Sequence, residues 1–264
     1  MARNIIFYFS GTGNSLKCAL AISERLADSK LVNMGPQYTC HPDECYDRVG
    51  FVFPCYMGGL PHRVREFIAT LDASILKDAY IYTVITSGGP GWLYGYLPAA
   101  VNDLLAAHDA QLSYYALLQA FSSYVVYYDM SPKVEEKNLL LEEQLAVVLD
   151  DVAEGCTRRV GRGFGLLKVM DRSGQSLAEW DREFVVNNNC ISCGQCQRIC
   201  PVANIQMAGG QPSWLHHCEQ CLSCLQWCPK RAIDFDNKTQ TRGRYHNPDI
   251  SATHMISLLH DKPC

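Results

Sequence analysis

The stretch FYFSGTGNS, residues 7–15, joins an apolar run to a glycine-rich loop of small hydroxyl and amide side chains. Residues 4–9 are predicted to form a buried strand. An amphipathic helix is predicted over about 14–27, with Leu16, Ala19, Leu20, Ser23 and Leu26 on one face. A loop of this kind at a helix N-terminus can surround a phosphate, because the first N–H groups of the helix point out of its end.

The loop does not fit two common phosphate-binding motifs. A dinucleotide site needs G-x-G-x-x-G or a terminal alanine, whereas the third position is Leu16, and Val-Asn-Met-Gly (32–35) offers no carboxylate for a ribose. A Walker loop needs Gly-Lys-Ser/Thr, and Leu16-Lys17-Cys18 lacks it. The remaining interpretation is a loop that surrounds one terminal phosphate with backbone amides and the side chains of Ser10, Thr12, Asn14 and Ser15.

Strands and helices alternate through the first 155 residues. Further strands are predicted at 30–34, 48–54, 80–86 and 111–118, and helices at 61–71, 98–107 and 135–154, with a long irregular insertion at 121–132. This alternation predicts an α/β fold, with helices on both faces of a parallel sheet. Ligands of such sheets bind at the carboxyl ends of the strands. Three loops rich in glycine and small polar residues follow strands there: 10–15, 55–60 and 87–92.

The composition excludes several classes of protein. The chain has 264 residues, 48% hydrophobic and 19% charged, which suits one large domain or one medium domain plus one small one. A net charge of −4 gives no electrostatic basis for binding nucleic acid or an anionic membrane. No apolar run approaches the roughly 20 residues that span a bilayer, and the N-terminus does not resemble a signal peptide. We therefore expect a cytoplasmic protein.

The cysteines are the unusual feature. Eight of the fourteen fall in two copies of C-x2-C-x2-C-x3-C-P, CISCGQCQRICP at 190–201 and CEQCLSCLQWCP at 218–229. This spacing is typical of bacterial 4Fe–4S sites. The alternative, zinc, is disfavoured because a C-x2-C-x2-C triplet overcrowds a tetrahedral site.

The same spacing predicts how the eight cysteines divide. Three thiolates of one motif reach three corners of a cubane, and the fourth cysteine faces away and completes the other cluster. The first cluster is therefore assigned to Cys190, Cys193, Cys196 and Cys228. The second is assigned to Cys218, Cys221, Cys224 and Cys200.

Taken together, the glycine loop and the duplicated cysteine motif resemble the fused flavodoxin–ferredoxin family of anaerobic bacteria and archaea. Three other stretches carry the resemblance: PCYMGGLP (54–61), FSSYVVYYDM (121–130) and RYHNPDI (244–250). The resemblance implies a flavodoxin-like domain at 1–155, doubly wound, with a five-stranded sheet in the order 2-1-3-4-5. It also implies a linker at 156–183, a small α+β ferredoxin domain with two 4Fe–4S clusters at 184–236, and a C-terminal tail at 237–264.

The resemblance also implies FMN as a cofactor. Its phosphate would lie on Ser10, Thr12, Gly13, Asn14 and Ser15, and its isoalloxazine ring between the second and third loops. Candidate ring contacts are Pro54, Tyr56, Met57 and Gly58 on one side and Ser87, Gly88, Gly89 and Trp92 on the other, with Tyr124 as a cover.

No acid, base or nucleophile is indicated, so no catalytic residue is predicted. We expect an electron-transfer flavo-iron–sulfur protein that couples one-electron and two-electron carriers in anaerobic metabolism, with a ferredoxin or another iron–sulfur or flavin enzyme as partner. The alternative is a ferredoxin-dependent flavin reductase that acts on a small acceptor such as a quinone or nitro compound. Whether the protein is an enzyme, the direction of electron flow and the oligomeric state, a homodimer included, stay open. The basic, aromatic segment 242–246 is interpreted as a structural tail, a contact to the flavin domain or a dock for an acidic partner.

Overall fold

Five parallel strands form the central sheet of the chain. A computed structural model describes residues 4–36, 45–130, 133–161 and 179–260. The strands are β1 (Asn4–Tyr8), β2 (Ser29–Asn33), β3 (Arg48–Pro54), β4 (Tyr80–Ser87) and β5 (Tyr114–Gln119). They lie in the order β2-β1-β3-β4-β5, with Phe7 opposite Val32 on one side and Phe51 on the other. The predicted α/β fold and strand order are confirmed.

Helices cover both faces of this sheet. They are α1 (Asn14–Leu26), α2 (His62–Thr70), α3 (Leu97–Ala106) and α4 (Val134–Glu154). Helices α1 and α4 pack on the face that carries Ile6, Tyr8 and Val84. Helices α2 and α3 pack on the opposite face. Burial on both faces explains why the strands are apolar runs rather than alternating ones.

The largest difference from a predicted strand boundary is at the start of β5, and the other strand boundaries differ by one residue at most. Strand β5 begins at Tyr114 and not at Gln111, since the backbone N–H of Leu112 donates to Asn102 Oδ1 of α3 at 2.9 Å instead of joining the sheet. The Ser113 N–H then donates to the Ile81 carbonyl at 2.7 Å. A side chain distant in sequence therefore sets where this strand starts.

The cysteine-rich part is a small α+β module. Strands β6 (Phe184–Val186) and β9 (Ile233–Phe235) pair antiparallel, and β7 (Ile205–Ala208) and β8 (Gln211–Trp214) form a hairpin. Two single-turn helices, α5 (Gln195–Arg198) and α6 (Ser223–Gln226), start within the two cysteine motifs. The two motifs thus share their local structure as well as their spacing.

The last described segment packs against the α/β part of the chain. Helix α7 (Ala252–His260) buries Met255 in the same apolar cluster as α1, together with Ile250. The predicted linker at 156–183 falls largely on 162–178, outside the described residues, as do residues 261–264 of the predicted tail. No helix in the described ranges is long and apolar enough to cross a membrane.

Candidate functional site

A cavity of about 600 Å³ opens at the carboxyl end of the sheet. The three predicted loops and the segment 120–128 form most of its wall. The predicted site residues among its lining are Ser10, Thr12, Asn14, Ser15, Pro54, Tyr56, Met57, Gly58, Ser87, Gly88, Gly89 and Tyr124. The cavity has the size typical of small-molecule and cofactor sites.

Two predicted site residues lie outside this lining, and one of them is Trp92. Its side chain is 79% exposed. The short 3-10 helix Gly91–Tyr94 turns Trp92 outward, whereas its neighbours Leu93 and Tyr94 line the cavity. Trp92 is therefore not part of the cavity wall in this structure, and its contact with a bound ring stays a prediction.

The other is Gly13, which precedes α1 with a φ of 98°. A Cβ atom placed on Gly13 would lie 3.0 Å from Cβ of Asn247 and 3.2 Å from Cβ of Ile250. Glycine is required there for its left-handed backbone and for this close approach. Gly13 therefore faces the C-terminal segment, and its side of the loop is turned away from the cavity.

The glycine loop, residues 9–15, is held by short polar contacts. Ser10 Oγ accepts a hydrogen bond from the Gly13 N–H at 3.2 Å, and the hydroxyls of Ser15 and Thr86 lie 2.8 Å apart. No side chain caps the N-terminus of α1. The first turn of a helix has N–H groups without intrahelical partners, so this uncapped end is suited to an anion.

Asn14 connects the glycine loop to two distant segments. Its Oδ1 accepts hydrogen bonds from the Tyr245 hydroxyl at 2.7 Å and from Asn247 Nδ2 at 3.0 Å, and its Nδ2 donates to the Phe121 carbonyl at 3.1 Å. The Asn247 N–H also donates to the Thr12 carbonyl at 2.8 Å. Both polar atoms of the Asn14 side chain are therefore bonded within the protein, which makes Asn14 a residue that positions the loop.

A tight turn presents the second loop. Tyr56 and Gly59 exchange two backbone hydrogen bonds of 3.1 and 2.8 Å, and Met57 and Gly58 between them have φ values of 47° and 80°. Two central residues with positive φ characterise a type I′ turn, which favours glycine. The turn holds Met57 and Gly58 in the cavity wall.

Aromatic side chains form the other end of the cavity. Tyr94, Tyr124, Tyr127 and Tyr128 line it, and Tyr127 and Tyr128 are both 53% exposed. The Tyr124 hydroxyl is buried and has no hydrogen-bond partner among the described residues. Burial raises the pKa of this phenol. A buried hydroxyl without a partner is costly, so the position favours a ligand that bonds to it.

The second cysteine motif forms part of the same wall. Gln220 and Cys221 line the cavity, and a Cβ atom placed on Gly11 would lie 2.8 Å from Cβ of Cys221. Trp227 Nε1 donates to the Gly11 carbonyl at 2.9 Å. The sequence analysis did not predict this contact, because nothing in the local pattern links residues 11 and 221.

The second cysteine motif also contacts the N-terminus of helix α2. The Glu219 carboxylate accepts hydrogen bonds from the backbone N–H groups of His62 and Arg63, at 2.9 and 2.5 Å. A carboxylate at a helix N-terminus is favourable because it satisfies free N–H groups and opposes the positive end of the dipole. Burial raises the pKa of Glu219, and the two N–H groups act against that rise.

The eight motif cysteines lie in two groups. Cys190, Cys193, Cys196 and Cys228 line a second, small cavity. The Cys224 thiol has its pKa raised by burial and by the neighbouring Cys218, Cys221 and Cys200. The structure therefore brings the fourth cysteine of each motif toward the first three of the other motif.

Backbone N–H groups point at three of these sulfur atoms. Asn204 donates to Cys200 Sγ at 3.2 Å, Gln220 to Cys218 Sγ at 3.3 Å, and Ala232 to Cys228 Sγ at 3.2 Å. Within the described residues, no group of three or more His, Cys, Asp or Glu side chains is arranged to hold a metal ion.

Comparison with known proteins assigns the first part of the chain. Residues 5–90 match the family described as flavodoxin domain. The α/β part of the chain therefore has a flavodoxin-like fold. No curated protein matches the chain.

Several solved structures resemble the chain at low identity. A putative flavoprotein from Bacteroides uniformis is 16% identical over 46% of this chain and 94% of its own, with a TM-score of 0.36. A WrbA-like flavodoxin from Agrobacterium tumefaciens is 17% identical over 57% of this chain and 99% of its own, with a TM-score of 0.37. The Trp repressor binding protein of Bacillus subtilis is 11% identical over 60% of this chain and 100% of its own, with a TM-score of 0.40.

Proposed function

We propose that this protein is an electron-transfer flavo-iron–sulfur protein with FMN in the large cavity and two 4Fe–4S clusters on the eight motif cysteines. FMN exchanges one or two electrons and each cluster exchanges one, so the protein would couple two-electron to one-electron carriers. We propose a ferredoxin or another iron–sulfur or flavin enzyme as its redox partner, in anaerobic metabolism.

One observation carries this proposal. Cys221, assigned to the second cluster, lines the same cavity as the glycine loop of the flavodoxin-like domain. Cys221 and Gly11 are so close that a methyl group on Gly11 would overlap the cysteine. A thiolate ligand in the wall of the flavin cavity gives the two cofactors adjacent positions in one chain. Electron transfer then needs no movement of one domain relative to the other.

The cavity suits FMN at both ends. The uncapped N-terminus of α1 and the hydroxyls of Ser10, Thr12 and Ser15 would hold the phosphate. The turn at Met57 and Gly58, the loop 87–89 and Tyr124 would enclose the ring.

The cysteine groups suit cubane clusters better than a single ion. Each iron of a cubane takes one cysteine, so the four thiolates surround a group several atoms wide instead of converging on one point. The N–H groups on Cys200, Cys218 and Cys228 would stabilise thiolate charge and tune the potential of a bound cluster.

The half-exposed Tyr127 and Tyr128 favour a second candidate function. They stand at the mouth of the cavity, where a flat organic acceptor could pack against aromatic side chains. The protein would then reduce a small acceptor, such as a quinone or nitro compound, at the flavin edge. Turnover of such an acceptor with reduced ferredoxin as electron source distinguishes this enzyme from a carrier.

Anaerobic reconstitution with iron, sulfide and FMN tests the proposed function. We expect about eight iron atoms and one FMN per chain, with EPR signals of reduced 4Fe–4S clusters. Spectroelectrochemistry should resolve separate cluster and flavin transitions. A chain that retains FMN but binds zinc instead of iron and sulfide would overturn the iron–sulfur part. A chain that loads clusters but leaves the cavity without FMN would overturn the flavin part.

A further inference from the structure

The two cysteine motifs differ in their access to solvent. In the first motif Cys193 is exposed, and Ile191 beside it is 58% exposed. In the second motif the residues from Cys221 to Trp227 are all buried between the module and the flavodoxin-like domain. A protein partner can therefore approach the first group of cysteines much more closely than the second.

Charge is also distributed unevenly around the first motif. Between residues 184 and 217 the only Lys, Arg, Asp or Glu is Arg198. Its guanidinium donates to the Cys193 carbonyl at 3.3 Å. Lys230 lines the small cavity with the first group of cysteines, and Arg231 follows it. Arg198, Lys230 and Arg231 are all exposed. We call Ile191, Cys193 and these three cations the cationic face.

The acidic side chains that follow in the module are engaged internally. Asp234 is buried and accepts hydrogen bonds from the backbone N–H groups of Phe235 and Thr239, at 2.7 Å each. Asp236 pairs with Lys238. The cationic face thus keeps its positive charge in a chain whose net charge is −4. This asymmetry orients an acidic partner, since the rest of the protein repels it.

We propose that the cationic face is the docking surface for a small acidic one-electron carrier protein. In this reaction the reduced carrier loses one electron and the protein gains it. The exposed Ile191 supplies an apolar contact, and Arg198 and Lys230 supply positive charge beside the same group of cysteines, as in many weak redox encounters. The proposal rests on the proposed function, because it assumes a cluster on the first group of cysteines.

The reconstituted full-length chain and an acidic bacterial ferredoxin provide the test. Binding of the oxidised ferredoxin is measured by titration calorimetry, and electron uptake from the reduced ferredoxin by stopped-flow. Between about 20 and about 300 mM NaCl the Debye length falls from about 20 to about 6 Å, so we expect the rate to fall about tenfold or more.

The double variant Arg198→Glu, Lys230→Glu should bind at least about tenfold more weakly at low salt and lose most of the salt dependence. The milder pair Arg198→Gln, Lys230→Gln should show an intermediate effect. Lys77→Glu is the matched control for the single variant Lys230→Glu, because each changes the net charge by about two and Lys77 is exposed and lies before the start of β4, at the opposite end of the sheet. EPR and iron content verify that each variant carries its clusters.

Three outcomes would contradict either the docking surface or the proposed function. If excess dithionite reduces clusters and flavin normally, but ferredoxin binding ignores salt and both double variants, the docking surface is elsewhere and the proposal is overturned. If the wild-type chain holds no cluster on the first group of cysteines, the proposed function is wrong, and the docking proposal that rests on it is wrong as well. A Lys77→Glu variant as weak as the Lys230→Glu variant would also contradict the proposal, since only net charge would then matter.

Discussion

The Tyr245 hydroxyl donates a hydrogen bond to Asn14 Oδ1 across 231 positions of sequence, at 2.7 Å. Asn247 donates to the same oxygen. The segment that carries both residues also donates from Tyr245 N–H to Gln226 Oε1 at 2.8 Å, and Gln226 lies in the second cysteine motif. One short segment thus fixes the glycine loop and the cysteine module together.

Loosening this segment should weaken FMN binding. We expect Tyr245→Phe to raise the FMN dissociation constant about threefold to tenfold, since one hydrogen bond contributes about 0.5–1.5 kcal/mol. Asn247→Ala should weaken binding further, because Asn247 holds both Asn14 and the Thr12 carbonyl. Fluorescence titration of the flavin-free chain gives the constants. Tyr80→Phe is the control: it also loses a hydrogen bond, to the Cys156 carbonyl, but at the far edge of the sheet. Equal weakening in all three variants would contradict the role of the segment.

Gly11→Ala tests the contact between the two halves of the site. The new methyl group would lie 2.8 Å from Cβ of Cys221 and 2.8 Å from the Tyr56 hydroxyl. We expect unfolding free energy to fall by about 1–3 kcal/mol, as for an overpacked core, and FMN affinity to fall as well. Gly95→Ala, where the nearest atom is 3.8 Å away, should be neutral or slightly stabilising. Urea denaturation compares the two, and similar stabilities would contradict the predicted overlap.

Serine substitutions test the crossed assignment of the cysteines. We expect Cys228→Ser to give the same EPR spectrum and iron loss as Cys190→Ser, and Cys200→Ser to match Cys218→Ser. Only the Cys200 and Cys218 pair should alter FMN binding, because their group includes Cys221 in the cavity wall. A Cys200→Ser spectrum that matches Cys190→Ser would show that each motif holds its own cluster.

The two aromatic candidates should behave in opposite ways. Trp92→Ala should leave the FMN dissociation constant within about twofold, since the exposed side chain contacts no ligand in the cavity. Tyr124→Leu should raise it about tenfold, because Tyr124 lines the cavity and its aromatic ring is lost as a contact for the flavin. Titration of both flavin-free variants with FMN gives the two dissociation constants. A larger increase for Trp92→Ala than for Tyr124→Leu would show that Trp92, and not Tyr124, contacts the flavin.

The parts of the fold set by local pattern could be predicted from the sequence. The apolar runs ending at Tyr8, Pro54 and Ser87 and the glycine loop before α1 locate three loops that meet at one sheet edge. The order of strands follows from the family resemblance and is confirmed. The cysteine spacing predicts two groups of four, and Cys190, Cys193, Cys196 and Cys228 of the first group line one small cavity.

Long-range contacts could not be predicted in this way. Periodicity reports which face of an element is apolar, but not which distant residue meets it. Nothing in FYFSGTGNS indicates Trp227, Asn247 or Cys221 as neighbours. The exposed position of Trp92 could not be predicted for a related reason, because the direction of a side chain in a short 3-10 turn depends on the turn and not on composition.

The closeness of Gly11 and Cys221 also bears on how the protein is assembled in the cell. On the proposed function, the loop that binds FMN and the loop that binds the second cluster are in contact. Each loop therefore reaches its final conformation only when the other has done so. Maturation then couples the flavin to the second cluster, whose group includes Cys221, so that oxidative loss of that cluster also weakens the hold on the flavin. A chain damaged at this cluster would lose both cofactors of the cavity wall together.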